Sequence, residues 1–480
     1  MSKYDAIVVG AGPNGLSAAI TLQQAGVSVL LLEGKETIGG GLRTAEITLP
    51  GFLHDVCSAI HPMAVASPFF NSLPLQEYGL EFIVPDIAAA HPFDDGTAAV
   101  LKRSFRETAQ LLGADEGSYT RLIAPLLQHW PLIAPDLLGP LHFPKHPLEM
   151  AQFGVHALTS ASYLSGRFHT EKAKALWAGM AGHAIQSLSN AATSAIGLVL
   201  IAVAHVKGWP IPKGGSVSIA NALANHFISL GGTIETNAWV HSLKQLPTAK
   251  VVLFDVTPRQ LLQIAGDRFS SFYTRQLQRY QYGMGVFKLD WALREPIPFM
   301  APECRQAGTV HIGNTMAEIA ASEQLSAKGI HPEKPFVLLA QPSVFDVTRA
   351  PQGKHTAWAY CHVPHGSMVD MTAAIENQVE RFAPGFKELI LARHTMNTAQ
   401  LEAYNPNYIG GDINGGIINL RQLYTRPAIR WSPYTTPAKG IYICSSSTPP
   451  GGGVHGMCGY HAACKALKDE FSIIVNAYEY

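Results

Sequence analysis

Three glycines near the start of the chain have the spacing of a phosphate-binding turn. Gly10, Gly12 and Gly15 form a G-x-G-x-x-G pattern after a short apolar run at residues 6–9. The first glycine permits a tight turn, the second lets the backbone approach a pyrophosphate, and the third lets a helix pack closely on a strand. The N-terminus of the following helix supplies unpaired N–H groups and partial positive charge. We therefore expect this segment to bind the pyrophosphate of a dinucleotide.

An acidic residue follows at the distance that such a site requires. Residues 17–26 are typical of a helix, and residues 27–33 are typical of a strand that ends at Glu33. A carboxylate about 20 residues beyond the glycines accepts a hydrogen bond from a ribose hydroxyl. Glycine spacing alone is weak evidence, and the order of strand, turn, helix and strand is what makes this fingerprint specific.

A second glycine run distinguishes between two kinds of dinucleotide. Residues 39–41 are all glycine, and Arg43 and Thr44 follow them. Together these residues offer close backbone approach and a cation beside a second phosphate. Because an NAD-binding unit does not need this second element, the layout favours FAD.

A third glycine run lies near the C-terminus. Residues 440–444 are predicted to form a strand, which is followed by a turn rich in Ser, Thr and Pro, the glycines at 451–453 and a helix. The N-terminus of that helix is expected to face the flavin pyrimidine carbonyls and to stabilise negative charge on the reduced ring. The residues predicted to bind FAD are Gly10, Gly12, Pro13, Asn14, Gly15, Glu33, Gly34, Lys35, Gly40, Gly41, Leu42, Arg43, Val240, Gly452, Gly453, Val454 and His455.

Few side chains need to take part in flavin chemistry, because the cofactor itself accepts the hydride. His455 is the first catalytic candidate, since imidazole exchanges protons near neutral pH, although a structural, hydrogen-bonded histidine fits the sequence equally well. His61 and Asp412 are the other catalytic candidates. A structural role is favoured for His61, one of 20 histidines, and an Asx-turn is favoured over a cavity contact for Asp412 and nearby Asn414. His183 is interpreted as a packing or substrate-lining residue.

The composition limits the classes of partner. Lys and Arg together number 35, as do Asp and Glu, so the net charge is zero and nucleic acid is not expected as a partner. Charged residues make up only 15% of the chain, against about 25% in typical soluble domains. This deficit indicates a wide apolar cavity or a membrane-facing patch. The six cysteines include no C-x-x-C pair, so neither a metal site nor a dithiol site is predicted.

One long apolar stretch leaves two interpretations open. Residues 191–206 fall short of the roughly 20 residues that a membrane-spanning helix needs. A buried helix that lines the substrate cavity is favoured over a helix that dips into one leaflet of a membrane. No secretory leader is recognised, so a cytoplasmic location is expected, with peripheral membrane contact as the alternative.

The order of predicted elements indicates an α/β fold with interleaved domains. A Rossmann-type FAD-binding domain alternates along the chain with a mixed-sheet substrate domain and a helical cap. The predicted boundaries are 1–75, 209–270 and 435–480 for the FAD-binding domain, 76–103 and 271–434 for the substrate domain, and 104–208 for the cap.

Four sequence blocks resemble those of a known group of flavoproteins. GAGPNG, EGKETIGGGLRT, PKGGS and STPPGGGVHGMCGYHAA are similar to the phytoene desaturase and carotene isomerase group. They are more similar still to its bacterial relatives that resemble pyridine nucleotide-disulphide oxidoreductase domain-containing proteins. The resemblance covers essentially the whole chain, and it implies an amine oxidase-like fold, FAD, and a dehydrogenase, saturase or isomerase acting on a large apolar, isoprenoid or lipid-like substrate.

The chain departs from this group at two points, and other functions stay open. His455 stands where bacterial phytoene desaturases generally have proline, which puts carotenoid desaturation in doubt, and the redox-active cysteine pair of disulphide reductases is absent. The alternatives are an amine oxidase-like flavoenzyme, with Trp209, Tyr408, Tyr442 and Tyr460 available for an aromatic cage, and a non-catalytic prenyl-lipid escort. A homo-oligomer is compatible with the sequence.

Overall fold

The computed structural model describes residues 4–475. The predicted FAD-binding domain runs from residue 1 to residue 480 in three pieces, so its first three and last five residues lie outside the described part of the chain.

The described residues form strands and α-helices throughout their length, joined in places by short 3₁₀ turns. The strands are β1 (Ala6–Val9), β2 (Val29–Leu32), β3 (Thr44–Ala45), β4 (His54–Asp55), β5 (Phe82–Ile83), β6 (Ile87–Pro92), β7 (Ala98–Lys102), β8 (Ile211–Pro212), β9 (Thr233–Glu235), β10 (Val251–Phe254), β11 (Gly285–Leu293), β12 (Ala307–Ile312), β13 (Val337–Ala340), β14 (His355–Val363), β15 (Ile390–Met396) and β16 (Ile441–Ile443). The α-helices are α1 (Pro13–Gln24), α2 (Pro62–Ala66), α3 (Pro68–Asn71), α4 (Phe105–Leu111), α5 (Glu116–Leu137), α6 (Pro147–Ala157), α7 (Ala161–Leu164), α8 (Glu171–Gly182), α9 (Thr193–Val206), α10 (Val217–Ser229), α11 (Pro258–Ala265), α12 (Ser271–Gln278), α13 (Met316–Ala327), α14 (Pro342–Phe345), α15 (Thr372–Phe382), α16 (Thr398–Tyr404), α17 (Leu420–Thr425) and α18 (Met457–Ala466).

A five-stranded parallel sheet carries the N-terminal glycine turn. Its strand order is β16-β10-β1-β2-β9, and each neighbouring pair is parallel. β1 and β2 are fully buried apolar runs, as strands covered on both faces must be. Strands from the beginning, middle and end of the chain thus bring their carboxyl ends to one edge. The α/β class with a Rossmann-type domain is confirmed.

A seven-stranded mixed sheet forms the second layer. Its order is β15-β11-β14-β13-β12-β6-β7, and its pairs are antiparallel except for β12 with β6. The longest strands, β11 and β14, pair over nine residues each. The sequence of residues 233–240, TIETNAWV, predicts one continuous strand, but β9 ends at Glu235. Beyond it, Asn237 and Ala238 donate backbone hydrogen bonds to Lys35 and Glu33, so the chain turns toward the cofactor end.

Helices α4 to α9 form the cap. The prediction that residues 191–206 make a buried helix lining a cavity is confirmed, because α9 packs on α8 and α5 and places Ala195, Ile196 and Val199 along the cavity wall. The prolines between residues 129 and 147 predict joints between cap helices, but this is wrong in part, since Pro131 and Pro135 lie inside α5. A proline inside a helix costs about 3 kcal/mol. Burial of the apolar face of α5, including Trp130, offsets this cost.

No α-helix between residues 4 and 475 is both long enough and apolar enough to cross a membrane.

Candidate active site

A single large cavity joins the carboxyl edge of the parallel sheet to the underside of the helical cap. Its volume is about 1270 Å³. Of the residues predicted to bind the cofactor, Gly15 and Leu42 do not line this cavity, and all the others do. The opposite end is walled by apolar side chains of the cap and the mixed sheet, among them Trp130, Ile196 and Trp358. We refer to the two ends as the dinucleotide groove and the apolar chamber.

The glycine turn after β1 has the geometry that its spacing predicts. Gly10 has a φ of +101°, a backbone conformation that residues with a side chain rarely adopt. A Cβ on Gly15 would lie 1.8 Å from the Gly10 carbonyl oxygen, so α1 can approach β1 only because Gly15 is a glycine. Gly15 therefore shapes the groove from below without lining it.

The second glycine run packs directly on the first. Gly39 donates its backbone N–H to the Ala11 carbonyl at 2.8 Å, and a Cβ on Gly40 would lie 3.2 Å from the Gly12 Cα. The two runs, which are predicted to bind one cofactor, thus meet at one wall of the groove. A side chain at Gly40, where φ is +56°, would strain the backbone and require the facing Gly12 to shift by a few tenths of an ångström.

Glu33 lies at the end of β2, where the ribose-binding acid was predicted. Its Oε2 accepts a hydrogen bond from Ala11 N, and its Oε1 accepts one from Lys35 N, both at 2.9 Å. Arg43 Nη2 also donates to Oε1 at 3.2 Å, and both side chains are 90% buried. Arg43 was expected to stand beside a phosphate; in the structure it neutralises Glu33 while its guanidinium lines the groove.

Asp255 is a residue of the groove to which sequence analysis gave no role. It follows β10, the strand beside β1, and its Oδ2 accepts a hydrogen bond from Gly15 N at 3.0 Å. Burial, together with the nearby charge of Glu33, raises the pKa of Asp255 to about 7. The available signal was its position after a buried parallel strand, because the carboxyl ends of such strands adjoin the ligand crevice.

The C-terminal block closes the junction between groove and chamber. Gly452, Gly453, Val454 and His455 all line the cavity just before α18. A Cβ on Gly459 would lie 1.8 Å from the Asn14 carbonyl oxygen, so α18 rests against α1 through another required glycine. Gly459 was missed because helix-on-helix contact leaves no spacing signature across 445 residues.

His455 is held by its own loop. Met457 donates its backbone N–H to Nδ1 at 3.0 Å, so Nε2 carries the proton and faces the Gly451 carbonyl oxygen at 3.2 Å. Burial lowers the pKa of His455 to about 4. Both ring nitrogens are thus engaged by backbone, and this arrangement fits the structural interpretation of His455 better than the catalytic one.

His61 offers a free proton acceptor instead. Ser216 donates its hydroxyl to the Ser58 carbonyl oxygen at 2.6 Å, so the His61 Nε2–H donates to Ser216 Oγ at 2.7 Å. His61 Nδ1 then carries a lone pair, and it has no hydrogen-bond partner among residues 4–475. Burial lowers the pKa of His61 to about 4, so the ring is neutral at pH 7. His61 also lines the cavity.

Asp412 does not line the cavity. Its Oδ2 accepts a hydrogen bond from Gly283 N at 2.7 Å, and its Oδ1 accepts one from Asn414 N at 2.8 Å. The second bond is the local side-chain-to-backbone contact of an Asx-turn. Asn414 does line the cavity, so Asp412 holds the loop that presents it.

A histidine in the chamber wall is hydrogen-bonded to a second, fully buried histidine behind it. His183 lines the cavity, and its Nε2 lies 3.0 Å from His311 Nε2. Burial lowers the pKa of His183 to about 3, so one ring donates to the other while both stay neutral. Trp209 packs edge-on against His183 with ring centroids 5.5 Å apart. His183 was predicted to pack or to line the substrate site; it lines the chamber, and contact with a substrate stays a prediction.

Comparisons with known proteins agree with this architecture. Residues 8–73 match the model of an NAD(P)-binding Rossmann-like domain. Pyridine nucleotide-disulfide oxidoreductase domain-containing protein 2 of Mus musculus is 27% identical over 97% of this chain and 94% of its own length. One of the limonene dehydrogenase chains of Castellaniella defragrans is 22% identical over 98% of this chain and 95% of its own length. The comparisons support an oxidoreductase.

A solved structure extends the agreement to the fold. Putrescine oxidase bound to putrescine superposes with a TM-score of 0.64 at 16% identity, covering 98% of this chain and 99% of that one. The chain therefore has an amine oxidase-type architecture, and its glycine-rich groove is suited to a flavin or nicotinamide dinucleotide. Of the four aromatic residues considered for a cage, Trp209 and Tyr408 line the cavity, whereas Tyr442 and Tyr460 do not.

Proposed function

We propose that the protein is an FAD-dependent oxidoreductase that dehydrogenates, saturates or isomerises a large apolar substrate, isoprenoid or lipid-like in character. The observation that carries the proposal is that the dinucleotide groove opens into an apolar chamber within one cavity. A cofactor in the groove would meet a substrate in the chamber without solvent between them.

The residues of the groove fit FAD. Two glycine runs meet at one wall, and a third, at 451–453, adjoins the chamber, whereas a nicotinamide dinucleotide needs only the first. Asn14 lines the groove, and its buried Oδ1 has no hydrogen-bond partner among the described residues. A buried polar atom of this kind calls for a donor from outside the protein. Bound FAD would supply hydride acceptance, and the protein would supply orientation and dryness.

The walls of the chamber favour an apolar substrate. Among the described residues that line the cavity, the carboxylates are Glu33 and Asp255, and both belong to the dinucleotide groove. A substrate in the chamber therefore meets aromatic and aliphatic side chains and neutral histidines. Limonene, named in one of the relatives, is a hydrocarbon of this kind. The resemblance to phytoene desaturases points to the same substrate class.

His61 is the residue best placed to move a proton in such a reaction. Its unpartnered Nδ1 can accept one, while Ser216 fixes the ring through Nε2. His183, which His311 holds from behind, offers a second site in the chamber for a polar group of the substrate.

Cofactor release followed by anaerobic titration tests the proposal. We expect the purified protein to carry FAD, identified by absorbance and mass after heat release, and we expect the visible flavin band to bleach with isoprenoid alkenes or a lipid extract. A purified protein that neither carries nor binds FAD would refute the proposal. Ile196→Trp, which fills the chamber from α9, should retain FAD but abolish bleaching. Ile228→Trp, at an exposed site on α10 outside the cavity, serves as the matched control.

The amine oxidase alternative rests on the fold shared with putrescine oxidase. An amine is a cation at neutral pH and is bound with the help of carboxylates or aromatic faces. Trp209 and Tyr408 could supply such faces, but no carboxylate of the described residues lines the chamber. Peroxide release with putrescine and none with lipids would favour the amine oxidase. A bound flavin that dithionite cannot reduce would favour the non-catalytic escort.

A further inference from the structure

Large apolar side chains project into solvent around the open end of the chamber. We call them the apolar rim: Leu141, Phe143, Leu148, Val155, Tyr424 and Trp431. Trp431 is fully exposed, and Phe143 is 83% exposed. Single exposed apolar residues are common, but a cluster that includes a Trp, a Phe and a Tyr marks an interaction surface.

Four residues of the rim line the cavity or the groove beside it, and Phe143 and Leu148 are next in sequence to Pro144 and Pro147, which line the cavity. Leu141, Val155 and Tyr424 line the chamber although each is more than half exposed, so they stand where it opens to solvent. Leu141 and Trp431 also line a neighbouring groove of about 310 Å³. The segment before α6 and the segment after α17 therefore lie on the same side of the opening, 290 residues apart in sequence.

Cations flank this surface. Segments 141–148 and 420–431 contain no Asp or Glu, whereas Lys145, Arg421 and Arg430 are exposed within them. None of these three makes an ion pair with a carboxylate between residues 4 and 475. Two carboxylates also adjoin the rim, since Asp136 contacts His142 and Glu149 follows Leu148, so the three cations leave a small positive excess. Exposed aromatic and aliphatic side chains with nearby Lys and Arg that have no carboxylate partner are the pattern of a surface that enters the headgroup region of an anionic membrane.

We propose that the apolar rim docks the protein on an anionic phospholipid bilayer, with the chamber opening toward the lipid. A protein partner on this surface would close the mouth of the cavity, whereas a bilayer would place it against the phase in which apolar molecules are dissolved. This location differs from the one suggested by residues 191–206, because α9 is packed inside the cap against α5 and α8. Delivery of substrate through the rim rests on the proposed function; docking itself does not.

Cosedimentation of the full-length protein with vesicles tests the proposal. We expect the protein to sediment with vesicles of phosphatidylcholine and phosphatidylserine. It should bind pure phosphatidylcholine vesicles more weakly, and its binding to the anionic vesicles should weaken at high salt. The double variant Phe143→Glu/Trp431→Glu should bind anionic vesicles at least about tenfold more weakly. Val347→Glu, at an 86% exposed position that lines neither cavity, should bind like the wild type.

Either of two vesicle results would overturn the docking proposal: wild-type protein that stays in the supernatant with anionic vesicles, or equal binding by the double variant and the wild type. Sedimentation velocity without lipid provides a further check. If the wild type is a dimer and the double variant is a monomer, a second copy of the chain covers the rim, and this result would also overturn the proposal.

Flavin content and bleaching in detergent, measured on the same samples, distinguish failure of docking from failure of the proposed function. Normal bleaching without vesicle binding would contradict the docking proposal and leave the proposed function standing. Vesicle binding by a protein without FAD would contradict the proposed function and leave the docking proposal standing.

Discussion

Asp255 accepts a hydrogen bond from the backbone N–H of Gly15 at 3.0 Å, although the two residues lie 240 positions apart. The contact ties the strand beside β1 to the first turn of α1, directly beneath the glycine loop. A Cβ on Gly12 would lie 2.8 Å from the same Asp255 oxygen. The floor of the dinucleotide groove is therefore a carboxyl group enclosed by glycine backbone, and three of our predictions concern this floor and the wall beside it.

Asp255→Asn should make the protein more stable at neutral pH than the wild type. Burial raises the pKa of Asp255 from 3.8 to about 7, so the folded state holds a proton that the unfolded chain has already released. The contribution of Asp255 to stability is thus complete below about pH 4 and is lost as the pH rises to about 7. Asparagine keeps an oxygen acceptor for Gly15 and does not titrate.

Urea unfolding of both proteins between pH 4 and 8 measures this effect. The free energy of unfolding of the variant should rise relative to that of the wild type as the pH increases, and above pH 7 the difference should have grown by on the order of 4 kcal/mol. The buried histidines titrate in both proteins, so their contribution to the pH dependence cancels when the two are compared at the same pH. A difference in unfolding free energy that does not change with pH would show that Asp255 titrates normally.

Gly15→Ala should prevent cofactor binding. The new methyl group would lie 1.8 Å from the Gly10 carbonyl oxygen, so β1 and α1 must separate and the glycine turn must open. We expect soluble protein, where it can be obtained, to lack the flavin band and to unfold several degrees earlier. Gly166→Ala is the control, because a Cβ there would meet no heavy atom within 4 Å among the described residues. Both variants are compared by absorbance spectrum and melting temperature.

Removing the Glu33 carboxylate should weaken cofactor binding and destabilise the turn. Glu33→Ala leaves Ala11 N and Lys35 N without their acceptors and leaves Arg43 buried without its counter-charge. Unpaired buried groups cost about 1–3 kcal/mol each, so FAD affinity should fall by at least about tenfold. Glu33→Gln keeps one oxygen acceptor, so its affinity for FAD should lie between those of the alanine variant and the wild type. Fluorescence titration of apoprotein with FAD gives the three dissociation constants, and equal values would contradict this role.

Replacing His61 should slow the reaction, whereas replacing His455 should weaken the binding of FAD. His61→Gln should slow flavin reduction by the apolar substrate by roughly 10²-fold or more while FAD stays bound, because its Nδ1 is the free acceptor. His455→Gln should instead lower FAD content and melting temperature, because His455 Nδ1 accepts the hydrogen bond from Met457 at the start of α18. Stopped-flow reduction and flavin content separate the two effects.

The pH profile gives an independent check on His61. Burial lowers the pKa of His61 to about 4, so the acceptor stays deprotonated above about pH 5, and the rate of flavin reduction should be flat from there to pH 8. A rate that falls below pH 7 would assign the proton transfer to a group with an ordinary histidine pKa.

Much of the dinucleotide groove could be predicted from the sequence because its requirements are local. Gly10, Gly12 and Gly15 lie within one turn, and Glu33 ends the next strand, so spacing alone carries the constraint. The helical cap and the burial of residues 191–206 were predictable for the same reason, since an apolar stretch too short to cross a membrane must find a core. The bounds of β9 and the course of α5 through Pro131 and Pro135 were not predictable, because packing outweighed local preference.

The sequence by itself determined that the chain has a phosphate-binding βαβ unit, an acid to follow it and a low-charge cap. Only the tertiary structure decided that Asp255 supports Gly15, that Gly459 lets α18 rest on Asn14, and that His61 rather than His455 has a free ring nitrogen. It also decided that residues near 141 and 431 surround one opening. The physical reason is that a hydrogen bond or a close packing contact depends on distance in space, whereas spacing in sequence reports only on residues that share an element.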